Sequence, residues 1–155
     1  MTSLDWTAIG SIATAVAVLV AAWQLRRGTS QARTDFEDDL SREYRELVRG
    51  ISVKVHLGEE LTPDELEQAF PRMYQYFDLT NEQIFLRMNA RVGKTTWSNW
   101  RDGIESNLRR PGFAVAWARV KKATTENFTE LRRLEASRFS SDPREWVPVW
   151  RRLWR

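Results

Sequence analysis

Trp6–Leu25 reads WTAIGSIATAVAVLVAAWQL, twenty residues without a charged side chain, held between Asp5 and the pair Arg26-Arg27. At about 1.5 Å of rise per residue, a helix of this length covers about 30 Å, the hydrocarbon thickness of a bilayer. The stretch therefore predicts a membrane-spanning helix. A cleaved signal peptide fits less well: residues 1–5 (MTSLD) carry no Lys or Arg, and the run ends in Trp23-Gln24-Leu25-Arg26-Arg27 rather than in small residues. Arg26, Arg27 and Arg33 follow the span and no cationic side chain precedes it. The expected orientation puts the N-terminus outside and the rest of the chain at the cytoplasmic face of the inner membrane. Trp6 and Trp23 fall near the two ends, at headgroup depth.

The predicted span has two unlike faces. Gly10, Thr14, Ala17, Ala21 and Gln24 recur at spacings of four and three. Small residues let helix backbones approach, and Thr or Gln hydrogen-bonds across the contact, so this face is the expected seam of self-association into a homo-oligomer. Thr7, Ser11 and Thr14 form a thin polar strip in the outer half. That strip supports the alternative reading, a membrane-active effector whose clustered spans permeabilise the bilayer.

The chain has 155 residues, with 24 Lys and Arg against 21 Asp and Glu. Removing the span leaves room for one domain of about 125 residues, an ordinary size for a single core. The expected division is 1–28 for the N-terminal segment and span, 29–140 for a cytoplasmic helical domain, and 141–155 for a Trp/Arg-rich tail. The absence of cysteine excludes disulfides, thiolate metal sites and cysteine nucleophiles, and the single histidine, His56, cannot assemble a histidine metal cluster. Charge is divided unevenly. Residues 1–86 hold 8 basic and 14 acidic side chains, net −6, whereas residues 87–155 hold 16 and 7, net +9. The two parts attract each other or face different surroundings.

Beyond the span every periodic stretch is helical, and the expected fold is an all-α antiparallel bundle. Gly28–Thr34 is small and polar and predicts a turn. Phe36, Leu40, Tyr44, Leu47, Ile51 and Val55 then form an apolar stripe that predicts a helix ending at Gly58, with Gly50 inside it. Thr62-Pro63-Asp64-Glu65 has the form of a capping box, and Leu66, Phe70, Met73, Tyr74 and Phe77 give the buried face that follows. Pro71 and a second box at Thr80–Gln83 leave open whether this region is one kinked helix or two. Arg91–Lys94 predicts a turn, and Thr96 a cap for the helix carrying Trp97, Trp100, Ile104 and Leu108. Pro111 opens the longest stripe, Phe113, Trp117, Val120, Thr124, Phe128, Leu131 and Leu134. Asp142-Pro143-Arg144-Glu145 caps a short tail.

Candidate chemistry is sparse, and no catalytic residue, cofactor site or metal site is assigned. Gly93-Lys94-Thr95-Thr96 has the end of a phosphate-binding loop, but Met88 stands where its first glycine belongs and the preceding pattern is helical. His56, near Glu59 and Glu60, lacks a nucleophile and reads as a helix-end histidine. Asn127-Phe128-Thr129 matches a glycosylation tripeptide, yet Phe128 belongs to a buried stripe. Asn81, Glu82 and Gln83 face different directions, so at least one amide should tie a neighbouring helix end. Trp97, Trp100 and Trp117 read as core anchors rather than a ligand cage. The tail is the more specific signal: Trp146, Trp150, Arg151, Arg152, Trp154 and Arg155 suit a segment lying at the lipid interface, or one packed over the domain. Nucleic acid is disfavoured as a partner, because no binding signature accompanies the basic half.

Tyr76-Phe77-Asp78-Leu79, Asn81–Leu86, Trp97, Trp100, Gly103-Ile104, Pro111, Phe113 and Trp117 form a pattern that resembles an uncharacterised bacterial family of small membrane-anchored helical proteins, a domain of unknown function. The likeness runs from about Phe36 to Phe139. It implies one span and a cytoplasmic helical domain, and supplies no activity or catalytic residues. The functional expectation is a membrane-anchored protein-interaction or scaffold module, with the lipid bilayer, further copies of itself and an unidentified protein as partners.

Overall fold

The computed structural model describes the backbone of residues 6–150, and their side chains except those of residues 6–19, 21, 22, 25–27, 29, 30 and 33. The described residues are all-helical: α1 Trp6–Arg49, α2 Val53–Leu57, α3 Pro63–Met88, α4 Lys94–Leu108, α5 Pro111–Ala123, α6 Thr129–Ala136 and a 3₁₀ turn, η1, Pro143–Trp146. Two compact units divide between Asp38 and Asp39. The first contains the N-terminal part of α1. Among the described residues no helix is long and apolar enough to cross a membrane, and most side chains of Trp6–Leu25 lie outside those residues.

The turn predicted at Gly28–Thr34 is absent, since α1 runs through it. One glycine and no proline interrupt that stretch, and a helix already nucleated on both sides propagates across a residue that costs about 1 kcal/mol against Ala. The stop comes later than the turn and earlier than Gly58. At Gly50 and Ile51 the backbone N–H groups donate back to Leu47 and Val48, and Ser52 is extended before α2 begins. The stripe nevertheless keeps its role, with Leu40, Ile51 and Val55 buried. Gly58 ends α2 in the left-handed region at φ 75°, where glycine carries no Cβ penalty.

In the second unit α3 packs against α5, α6 and η1, while α5 also meets α2 and α4. Its start is the predicted capping box: Thr62 Oγ1 accepts from Glu65 N–H at 3.3 Å, and Glu65 Oε2 accepts from Thr62 N–H at 2.9 Å. Lys54 adds a 2.6 Å ion pair to Glu65, and this bond, with the Thr62 backbone bond, holds the Glu65 carboxyl down to about 2. The helix is single. Pro71 lies on its exposed side, where the carbonyl deprived of a donor is open to water, and the second box is not used because Thr80 is buried in mid-helix beside Leu79 and Ile84.

The α4 cap falls at Gly93 rather than Thr96, so the turn before it is shorter than predicted. The long stripe after Pro111 is broken into α5 and α6. Thr124 is extended and Phe128 takes φ 61°, a left-handed position that costs a non-glycine residue about 1 kcal/mol. Its ring is recompensed by burial, edge-on to Tyr74 at 5.3 Å and to Trp117 at 5.8 Å. Arg132 fastens the loop by donating to the carbonyls of Thr124 and Asn127. Every stripe residue except Thr124 is buried. The centre is aromatic, with Tyr76 against Phe113 at 4.8 Å and Phe77 against Trp117 at 5.0 Å.

Candidate functional site

Two helices of the second unit frame a groove of about 570 Å³. The end of α1 contributes Glu43, Glu46 and Leu47, and α3 contributes Arg72, Gln75, Asp78, Leu79 and Glu82. Spacings of three and four put the acidic side chains of each helix on one face. Four carboxylates thus meet one guanidinium over a floor of two leucines, of which Leu79 is buried. Arg72 is turned toward Gln75 at 3.4 Å and lies along Gly50, where a Cβ would stand 3.1 Å from its Nε. Like charges at helical spacing oppose helix stability by a few tenths of a kcal/mol, so the acidic face is a cost to folding that favours a cationic visitor. Sequence reasoning did not single out these four carboxylates. The three- and four-residue spacing on each helix was visible, but the pairing of the two faces was not.

The residues expected to carry function are placed unevenly. Of the association face, Gly10, Thr14, Ala17 and Ala21 have side chains outside the described residues, and Gln24 is exposed. Of the tail, Arg151, Arg152, Trp154 and Arg155 lie outside the described residues. Trp146 is half-buried: its Nε1 donates to Ser141 Oγ at 3.1 Å, and the Arg133 guanidinium stacks 4.5 Å from its ring centre. Val149 and Trp150 are both 62% exposed.

What seats Trp146 is an ion pair between residues far apart in the chain, with no local signal in their spacing. Arg87, 8% exposed near the end of α3, donates from Nε and Nη2 to the two carboxylate oxygens of Asp142 at 2.9 and 2.5 Å, and from Nη1 to the Val92 carbonyl at 2.9 Å. Asp142 Oδ1 also accepts from Arg144 N–H at 3.0 Å, capping η1 as expected. Burial works to raise the Asp142 pKa, but the Arg87 bonds and the Arg144 N–H outweigh it and hold the carboxyl below its ordinary value.

Asn81 is the expected cross-tie. Its Oδ1 accepts from Leu131 N–H at 3.0 Å and its Nδ2 donates to Glu130 at 3.0 Å, joining α3 to the first turn of α6. Trp97 and Trp117 are buried as anchors, and both indole N–H groups lack a partner among the described residues. His56 Nε2 lies 3.2 Å from the Val48 carbonyl and Nδ1 lies 3.4 Å from Arg110 Nη1, which fits a donating Nε2 and an accepting Nδ1. Gly93 caps α4 and Lys94 opens it, but the element before the turn is the helix α3, where a phosphate-binding loop follows a strand. Among the described residues no three His, Asp or Glu side chains group as a metal site.

No family model matches the chain, and neither does any of the curated proteins or solved structures compared with it.

Proposed function

We propose that the chain is a single-pass membrane-anchored docking module. Trp6–Leu25 lies in the inner membrane with the N-terminus outside, the helical unit from Asp39 stands at the cytoplasmic face as an antiparallel bundle, and the α1–α3 groove takes a basic segment of a protein partner. The observation that carries this reading is the run of twenty uncharged residues within one helix, α1. The groove supplies the docking chemistry: carboxylates steer a cationic segment and the leucine floor accepts its apolar side chains. Self-association through Gly10, Thr14, Ala17, Ala21 and Gln24 belongs to the same proposal, as does the kinship suggested by the resemblance to membrane-anchored helical proteins.

Fractionation of expressing cells tests the anchor. The full chain should sediment with membranes, resist carbonate extraction and release only in detergent, and a chain lacking residues 1–27 should stay in the supernatant. Recovery of the full chain in the supernatant refutes the anchor. Crosslinking in cells tests docking separately: Glu43→Lys with Glu82→Lys should remove a partner adduct while membrane retention is unchanged, and an adduct that survives the double reversal refutes the groove.

A further inference from the structure

We infer that a second, smaller recess, between α1, α3 and α4, binds one uncharged heteroaromatic ring whose edge carries a hydrogen-bond donor and acceptor on neighbouring atoms, the chemistry of a pyrimidine nucleobase or a similar lactam. The inference does not depend on where the N-terminal helix lies. Gln83 is its starting point. This side chain is 3% exposed, lines the recess and has no hydrogen-bond partner among the described residues. The fully buried side-chain polar atoms without a partner among the described residues are the indole nitrogens of Trp97 and Trp117, so the Gln83 amide keeps a small opening into the recess it lines, where a ligand can meet it. Its N–H and C=O sit side by side, so it meets a lactam edge with two bonds whichever way the amide is turned.

The walls suit a flat ring. Tyr44, Tyr76 and Trp100 line the space, which holds about 100 Å³, a volume of the order that accepts a single ring in apolar protein cavities. Stacking on aromatic faces is favourable for any nucleobase. The tyrosines are preset by one buried amide: Asn107 Nδ2 donates to Tyr76 Oη at 3.0 Å and lies 3.3 Å from Tyr44 Oη, and Asn107 Oδ1 is held by Arg110 at 2.9 Å. Across from them α4 presents Gly103, where an added Cβ would meet nothing within 4 Å. The recess is open at that turn because the side chain is missing.

The surroundings select the charge of the ligand. Glu43 precedes Tyr44 and Glu82 precedes Gln83, and both line the neighbouring acidic groove with Glu46 and Asp78. That field disfavours a phosphate, so a free base or nucleoside is expected in preference to a nucleic-acid strand.

The test titrates the full chain in detergent micelles with uracil, uridine, 1,3-dimethyluracil and an eight-nucleotide oligouridylate, followed by saturation-transfer NMR and calorimetry. Uracil and uridine should bind saturably, and dimethyluracil, which has lost its donor, at least tenfold more weakly. Gln83→Met should lose at least tenfold in uridine affinity while its thermal midpoint stays level or rises. Gly103→Leu should abolish binding without lowering the midpoint, because leucine favours the helix and fills open space. Absence of saturable uracil and uridine binding would overturn the inference, as would undiminished binding in both variants or a lowered midpoint for Gln83→Met. Tighter binding of the oligonucleotide than of uridine would overturn the assignment to a free ring.

Discussion

Replacing Asp142 by Asn tests whether the C-terminal segment is held by charge. The substitution keeps size and shape but leaves the Arg87 guanidinium, 10% exposed at its side chain, facing a neutral amide. Breaking a fully buried pair costs about 3–5 kcal/mol, and the 24% exposure of the Asp142 side chain lowers that to about 2–3 kcal/mol by admitting water. Asn still caps η1, so the cap itself is nearly conserved. For a domain of about 120 residues such a loss lowers the thermal midpoint by about 6–12 °C. Circular dichroism at 222 nm reads the shift, and the indole N–H resonance of Trp146, assigned by its loss in Trp146→Phe, reads release of the segment among the eight tryptophans. Arg87→Met with Asp142→Leu should recover part of the loss, because an apolar pair leaves no buried charge. The pH dependence has a definite sign. The folded Asp142 pKa is depressed, so its contribution is complete above the ordinary carboxylate range and is lost as pH falls through the lower folded value. A midpoint within 2 °C of the parent for Asp142→Asn would refute the clamp.

Three further outcomes follow from the packing. Phe77→Ala should lower the urea midpoint by the equivalent of about 3–5 kcal/mol with an unchanged slope, since the ring is fully buried against Tyr76, Phe113 and Trp117. Asn81→Ala should cost about 1–2 kcal/mol and speed amide exchange at Leu131, whose N–H loses its acceptor, before it affects α4. Glu65, depressed to about 2 first by Lys54 and then by the Thr62 backbone, should contribute at pH above about 4.5 and lose that contribution as pH falls toward 2; Lys54→Met should flatten that part of the acid titration.

The parts of the fold that were legible are those decided within a few residues. The Thr62 box and the Asp142 cap depend on neighbours one to three positions away and stand where the sequence puts them, and Gly58 does end a helix, although it closes the short α2 and the helix it was expected to close has already stopped at Gly50. Burial was legible in part, because a helical period marks a face whether or not the chain is continuous: Phe113, Val120, Phe128 and Leu134 reach one core across a break that the period did not reveal, whereas Tyr74, expected on a buried face, is exposed, and Trp100, expected as an anchor, is only half-buried. Continuity was less legible. Gly28 and Pro71 read as interruptions by local preference, yet flanking helix on both sides carries α1 and α3 through them. The groove and the clamp were not legible at all. Glu43 and Asp78 come to line one groove, and Arg87 meets Asp142 across 55 residues, only once the helices have packed.

The uneven charge of the chain bears on how the groove could work. If the basic second part served to neutralise the acidic first part, ion pairs should run between them. Arg119 and Glu67 do form such a pair, and Arg119 also lies 4.2 Å from the Phe70 ring centre. Lys54–Glu65, however, stays within the acidic part, while Arg87–Asp142, Arg109–Glu105 and Lys121–Glu135 stay within the basic part. Of these pairs among the described residues, then, Arg119–Glu67 alone joins the two parts, and most of the basic surplus of the second part is not spent on the acids of the first. Glu43, Glu46, Asp78 and Glu82 face one another across the groove, with Arg72 as the cation lining it. A field arranged in this way acts outward on whatever approaches within about 8–10 Å, the screening length at physiological salt. Such a field favours cations and disfavours anions, which is the ground for proposing a basic segment at the groove and a ligand without phosphate in the neighbouring recess.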